Sequence, residues 1–492
     1  MDMFSIIAIG FLVGYLILGL YAGRNTDTVE DHCVMGRSAS AFLIVGTLIA
    51  SNLSSVTFTG FTATVMTKGP LALISQFGAS VSGSLILGLI VGKYFYRMKL
   101  LTLPEFFTIR YPGKAAYLAS SLIVVVSMTV YMISVMLGTV VVANSLFGWP
   151  NHITLLAIMI AITLFTVVGG MRSVVVTDTA MFVVFLLAAL VIGPSVVWHL
   201  GGFEEAIALA SEKAAYIFSW HGADKPLSGA MSILEMNVLS FLNVLAAPHL
   251  LSRINIAKSE REFGKAMIML AVALPLLIIF LLYPFSFFSL ADTGVEPVSA
   301  YVWVCRNLVP VVIGSLGLAG VMSAAISTAT SLFQQASSTL SVCIIKDFFY
   351  PEMSNKKLLL ISRLSVIVIA AVVYLGSLNP AIGTSAIMYA FLFATAAFSA
   401  WLPALYLGVL WRRATTAGAV WSMFVSLPII IFFAVARLKG WVPSWLPTNV
   451  VGLVTSVTLM VVVSLMTKED EGNKVYDKLR DPDGRFVGSW EV

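Results

Sequence analysis

Long apolar runs, separated by short charged or Gly/Pro-rich joints, repeat along this chain from end to end. About 20 consecutive apolar residues suffice for a helix to cross a bilayer. Thirteen runs predict helices near 3–22, 40–67, 70–96, 115–146, 153–169, 174–198, 232–251, 264–289, 310–345, 358–377, 382–410, 416–436 and 449–467. The first run, from Phe4 to Gly23, has only Asp2 and no basic residue before it. A secretory leader would begin with positive charge, so the run predicts a retained span with an outer N-terminus. An odd number of spans then puts the tail on the cytosolic side.

Basic residues test that orientation, because cytosolic connections collect Lys and Arg. Of the 29 in the chain, six fall outside: Lys68, Lys213, Lys225, Arg306, Arg437 and Lys439. The longest outer connection is 199–231, and the tail 468–492 is polar.

Composition narrows the class further. The 492 residues are 59% hydrophobic and 11% charged, where a soluble domain carries about a quarter charged residues. A soluble enzyme, a nucleic-acid binder and a disordered scaffold are excluded, and the fold class is all-α and polytopic in a membrane. Net charge, +5, is small. Cys33, Cys305 and Cys343 lie too far apart to imply a disulfide framework, and the five histidines show no metal-ligand spacing.

Polar side chains at membrane depth need a reason. The second run places Ser51, Asn52, Ser54, Ser55, Thr57, Thr59 and Thr62 within 12 residues, between Gly46 and Gly60. One helix face cannot hold them all. Either an unwound stretch lines a cavity or small hydroxyl residues glue helices together. Asn52-Leu53-Ser54 matches a glycosylation sequon, which its depth disfavours. Asp178 lies about four residues into the sixth run, as an interfacial charge or an ion ligand. In the ninth run Ser327, Thr330, Ser331 and Gln334 share a helix face by their spacing. A hydroxyl stripe suits a hard cation that prefers oxygen, or close helix packing.

Five segments, in order, carry a family likeness: LTLPEFFTIRY at 101–111, GGMRSVVVTDTAMF at 169–182, APHLLSR at 247–253, AAISTATS at 324–331 and PALYLGVLWRRATTAGA at 403–419. From about residue 10 to residue 425 the chain resembles the sodium:solute symporters, which include proline, pantothenate, monocarboxylate, sugar and sialic acid carriers. The resemblance implies thirteen helices, with a leucine-transporter-type core of two inverted five-helix repeats in spans two to eleven. It divides the chain into an N-terminal extra helix and inner loop (1–39), the transport core (40–414), two further helices (415–467) and a cytosolic tail (468–492). It implies sodium-driven uptake of a small solute across a plasma membrane, of the bacterial inner type, with no enzyme activity and no nucleic-acid partner. The bilayer is the remaining partner.

Family residues carry over position by position. The main sodium site maps to Ala50 and Leu53 with Ala324, Ser327 and Thr328. A second sodium set, present in some members, maps to Asp178, Ser327, Thr330 and Ser331. Substrate contacts map to Asn52, Ser54, Thr57, Ser75 and Gln76, between the second, third and seventh spans. The proline carrier has a carboxylate where this chain has Asn52, sugar carriers have an Asn where it has Ala247, and the sialic acid type has an Arg in the fourth span, absent from 115–146. These differences point away from those three substrates. Pro248-His249 matches the pantothenate and monocarboxylate carriers better, so a small carboxylate is the first expectation. His249 either faces substrate or caps a helix end.

One departure follows the hydroxyl motif. Where many members carry an Asp-aromatic pair, this chain has Cys343, and Lys346-Asp347-Phe348 comes later. The helix runs a turn longer, or the register slips. A proton-coupled carrier on the same fold, and a transporter-like sensor or channel, remain the alternatives.

Overall fold

In hydrocarbon every backbone N–H and C=O must find its partner within the chain, and helices do this locally. The computed structural model describes residues 3–24, 28–291, 293–378, 384–443 and 445–479. Among them there is no strand, only a bridge between Ala39 and Ala257. The principal helices are α1 (Met3–Gly23), α2 (Ala41–Asn52), α3 (Thr57–Lys68), α4 (Leu71–Leu85), α5 (Ala115–Phe147), α6 (Asn151–His199) and α7 (Pro226–Ala246). They continue as α8 (Glu260–Leu282), α9 (Val311–Ser338), α10 (Asn355–Ser377), α11 (Thr384–Leu410), α12 (Thr416–Leu438) and α13 (Thr448–Met466).

Among the described residues, eleven helices are long and apolar enough to cross a membrane, and α2 with α3 makes a twelfth, bent span. The expected thirteen are not reached. The runs 153–169 and 174–198 form one continuous helix, α6, of 49 residues, about 74 Å if straight. Gly169 and Gly170 do not stop the helix, because glycine weakens a helix by only ~1 kcal/mol while keeping its N–H donor.

The polar cluster in the second run does break its helix. α2 and α3 meet at 58°, and Leu53 is extended (φ −86°, ψ 113°). Local side chains compete for the backbone there. Ser54 Oγ accepts from the Val56 amide at 3.2 Å, and Thr57 Oγ1 accepts from the Ser54 amide at 3.3 Å. α2 lies against α6 so closely that a Cβ at Gly46 would meet the Thr179 side chain at 2.8 Å.

A second break ends α7. Ala247 is extended and Pro248, which has no N–H to give, starts the next short turn, Pro248–Leu251. The freed carbonyls are taken by α11: Tyr406 donates to Leu245 O at 2.8 Å and Trp401 to Ala246 O at 2.9 Å. The chain then turns inward through Arg253–Ile256.

Past Ser338 the helix runs on as wider π-type turns, Thr339–Phe349. Tyr117 donates to Asp347 Oδ2 at 2.7 Å and stacks on Phe348. The helix thus continues past Cys343 to Phe349. α12 and α13 pack on α11, with Ser456 donating to Ser399 O at 2.6 Å. Residues 480–492 of the expected tail lie outside the described residues.

Two residues counted as inner-side charges are not in open loops. Arg110 is fully buried and donates to Gly408 O and Ala414 O. Arg253 is also fully buried. Sequence position near a joint does not fix depth when the chain folds back into the bundle.

Candidate functional site

The break between α2 and α3 faces a small, largely enclosed cavity of ≈ 20 Å³, room for little more than one water. Asn52, Ser54 and Thr57, three of the substrate positions that the family resemblance implies, line it. The side chains of Ser75 and Gln76 lie outside the described residues, although their backbone is helical within α4. The cavity adds Ser80 from α4, Tyr131 from α5, Ser240 and Asn243 from α7, Ile278 from α8 and Phe391 from α11. Sequence reading placed the cavity between the right spans but named none of these. Ser240 and Asn243 were visible as polar residues within an apolar run.

The polar walls are paired with each other. Asn243 Nδ2 donates to Asn52 Oδ1 at 3.1 Å. Ser80 Oγ and Ser240 Oγ are 2.5 Å apart. Phe61 and Tyr131 each pack against Phe391. His249 does not line the cavity. It is buried with its ring edge-on to Tyr131, and its carbonyl accepts from Arg253 Nη1 at 2.8 Å.

Behind the break, α9 meets α2. Ser327 Oγ donates to Ala50 O at 2.9 Å and to Ala324 O at 3.0 Å. Thr328 Oγ1 donates to Ala324 O at 2.9 Å and to Ser51 O at 3.3 Å. Four of the five predicted main-site positions thus converge, and Leu53 sits buried at the end of α2. Every oxygen in this group is neutral. A small hard cation could take the same oxygens as ligands once the hydroxyl protons turn away.

One helical turn further along α9, the chemistry changes. Asp178 is fully buried. Its Oδ2 accepts from Thr47 Oγ1 at 2.5 Å and from Ser51 Oγ at 3.3 Å. Arg253 Nη2 lies 3.5 Å from the same oxygen and donates to Ser331 Oγ at 2.6 Å. Thr47 Oγ1 and Ser51 Oγ also accept from the guanidinium, at 3.1 and 3.2 Å. Of the proposed second-sodium set, Asp178 and Ser331 are joined through Arg253. Ser327 and Thr330 instead bond to backbone, Thr330 to Ser327 O at 3.0 Å. From the sequence, Arg253 was the end of a motif and an inner-side charge.

A second buried pair was not anticipated. Arg437 Nη1 meets Glu235 Oε1 at 2.6 Å, and Asn449 donates to Glu235 O. It ties α7 to α12 and α13, away from the cavity.

Broken spans, a small closed cavity between them and an oxygen cage beside the break are the features of a secondary transporter of the leucine-transporter type. Solved structures share this fold. A Na+-coupled sialic acid symporter superposes with a TM-score of 0.80 at 17% identity, covering 95% of this chain and 98% of that one. The transporter MhsT in complex with L-phenylalanine gives 0.54 at 12% identity, covering 87% and 98%. The profile of the sodium:solute symporter family matches residues 32–426, and the chain belongs to that family. It is an integral membrane transporter, not an enzyme, and sodium is its coupling ion. Among its relatives, the sodium/proline symporter of Escherichia coli is 25% identical over 476 residues, 93% of this chain and 92% of that protein. The osmoregulated proline transporter OpuE of Bacillus subtilis is 25% identical over 488 residues, 94% of this chain and 95% of that protein.

Proposed function

We propose that this protein imports a small neutral amino acid of the proline type together with sodium, by alternating access across a plasma membrane, with its N-terminus outside and its C-terminus in the cytosol. The observation that carries the reading is the broken span at the cavity. The carbonyl end of α2 and the positive end of α3 face one crevice, so opposite partial charges meet there once Ser54 and Thr57 release the amides they hold. A zwitterion needs both and needs no ionised side chain, and the cavity has none among its described lining residues. The named relatives are proline carriers, which favours this substrate over a simple carboxylate.

The sequence-based objection to proline rested on Asn52 standing where the proline carrier has a carboxylate. It assumed that the amine must meet a carboxylate, whereas backbone carbonyls at a helix end can accept the same N–H donors. Asn52, Ser54 and Thr57 would contact the solute, and Ala50, Leu53, Ala324, Ser327 and Thr328 would hold the main sodium. The cavity must widen to admit any solute, which requires the α7 wall at Ser240 and Asn243 to part from Asn52 and Ser80.

Uptake of labelled proline into proteoliposomes, with and without an inward sodium gradient at fixed pH, tests the reading. Gradient-dependent proline uptake is expected. Uptake driven by a pH gradient without sodium would point to the proton-coupled alternative. The second reading is a small monocarboxylate, favoured by the lack of an acidic side chain among the described lining residues. Lactate or acetate uptake without proline uptake would select it.

A further inference from the structure

The hydroxyl-and-carboxylate group around Asp178 has the composition of a sodium site, yet a cation of the chain itself already sits in it. Arg253 Nη2 contacts Ser331, Thr47 and Ser51 at 2.6, 3.1 and 3.2 Å and lies 3.5 Å from Asp178 Oδ2. Both charged side chains are fully buried. We infer that the Arg253 guanidinium is a tethered cation that takes the place of a second sodium, so that this protein binds one sodium per molecule.

Three features support this. The first is geometry. Ser51 and Ser331, 3.1 Å apart, both lie against the guanidinium, so a sodium entering between them would have to displace it. The second is charge. Among the described residues no third ionised group takes part in the contacts of this centre, so Asp178 and Arg253 cancel. A sodium added beside them would leave an uncompensated positive charge in a desolvated site, where like charges repel strongly. The third is placement. Arg253 is delivered by the break at Ala247, which turns the chain inward just before it, and its Nη1 is anchored to His249 O at 2.8 Å. The cation is thus held by its own backbone, while the oxygens it serves come from α2, α6 and α9. Asp178 Oδ1 makes no hydrogen bond among the described residues, but that lone oxygen offers a sodium no complete cage.

The inference rests on sodium coupling but not on the identity of the solute. The test is therefore radiosodium binding to the purified full-length protein at equilibrium, without solute. One sodium per wild-type molecule is expected. Arg253→Met should raise the count to two, because Asp178 and the hydroxyls are left with an uncompensated negative charge. The double variant Asp178→Asn/Arg253→Met should return it to one, since it removes the charge that would attract the extra ion. A wild-type count of two overturns the inference. So does Arg253→Met remaining at one while still binding at the first site. If Arg253→Met does not fold, Arg253→Lys, which keeps a tethered charge, is expected to stay at one, and a count of two for it also overturns the proposal. Loss of proline uptake with a sodium count of one would reject the substrate reading and leave this inference standing.

Discussion

The two oxygen-rich centres where α2 meets α9 use nearly the same side chains and differ in one respect. Around Ser327 and Thr328 all groups are neutral, and each hydroxyl donates to a carbonyl that it could release. Around Asp178 and Ser331 a carboxylate and a guanidinium are already paired. Ser327 and Ser331 are one turn apart on the same helix. A hydroxyl stripe alone therefore does not say how many ions a helix binds. What decides is whether the charge that would attract an ion has been satisfied from within the chain.

The comparison can be broken most forcefully at the charged centre. Asp178→Asn or Arg253→Met alone leaves a buried charge unpaired and should cost ~3–5 kcal/mol of stability. The double variant should recover most of that loss. Thermal unfolding in detergent measures both, and equal losses for singles and double would mean that the pair does not act as a unit.

The neutral centre should respond differently. Ser327→Ala removes one oxygen from the proposed sodium cage, an interaction of ~1.5–3 kcal/mol for a charged partner. Its sodium half-saturation should rise about tenfold or more with little change in the unfolding temperature. Unchanged sodium dependence would place the ion elsewhere.

A third change separates the centres mechanically. Gly46→Ala places a Cβ 2.8 Å from Thr179 and should cost ~1–3 kcal/mol by pushing α6 away from α2, which α9 holds in place. α6 carries Asp178 but none of the neutral cage, so sodium affinity should move less than stability does. A larger fall in sodium affinity than Ser327→Ala produces would contradict that.

The remaining effect lies outside both centres. In the connection before α5, Glu105 accepts from the Leu101 amide and from Thr102 Oγ1. Loss of surrounding water pushes its carboxyl up from 4.5 to about 7. The folded state therefore favours the protonated acid, and stability should fall as pH rises from about 4.5 to about 7, then level off. Glu105→Gln should flatten that part of the profile and leave the sodium count unchanged.

Much of this arrangement could be read in the sequence, for a physical reason. Polar residues are costly at membrane depth, so Ser51 to Thr62 announced a broken span, and the spacing of Ser327 and Ser331 announced a shared face. The family likeness then assigned Ala50, Ala324 and Thr328. Asn243, Tyr131 and Phe391 were harder, because each reaches the cavity from a span far away in sequence. Arg253 was hardest. An arginine at a joint resembles any cytosolic charge until the break at Ala247 is known to carry it inward. The count of thirteen is not confirmed for the opposite reason: glycines that look like punctuation do not interrupt α6.

The caps on the second break set what can move alone. Leu245 O and Ala246 O are held by Tyr406 and Trp401. Swinging this end of α7 by itself would strand two buried carbonyls, at roughly 1–3 kcal/mol each. α7 and α11 are therefore geared together like two jaws on one hinge pin. Because α11 also presents Phe391 to the solute cavity, a push on that aromatic wall is delivered directly to the segment bearing Arg253.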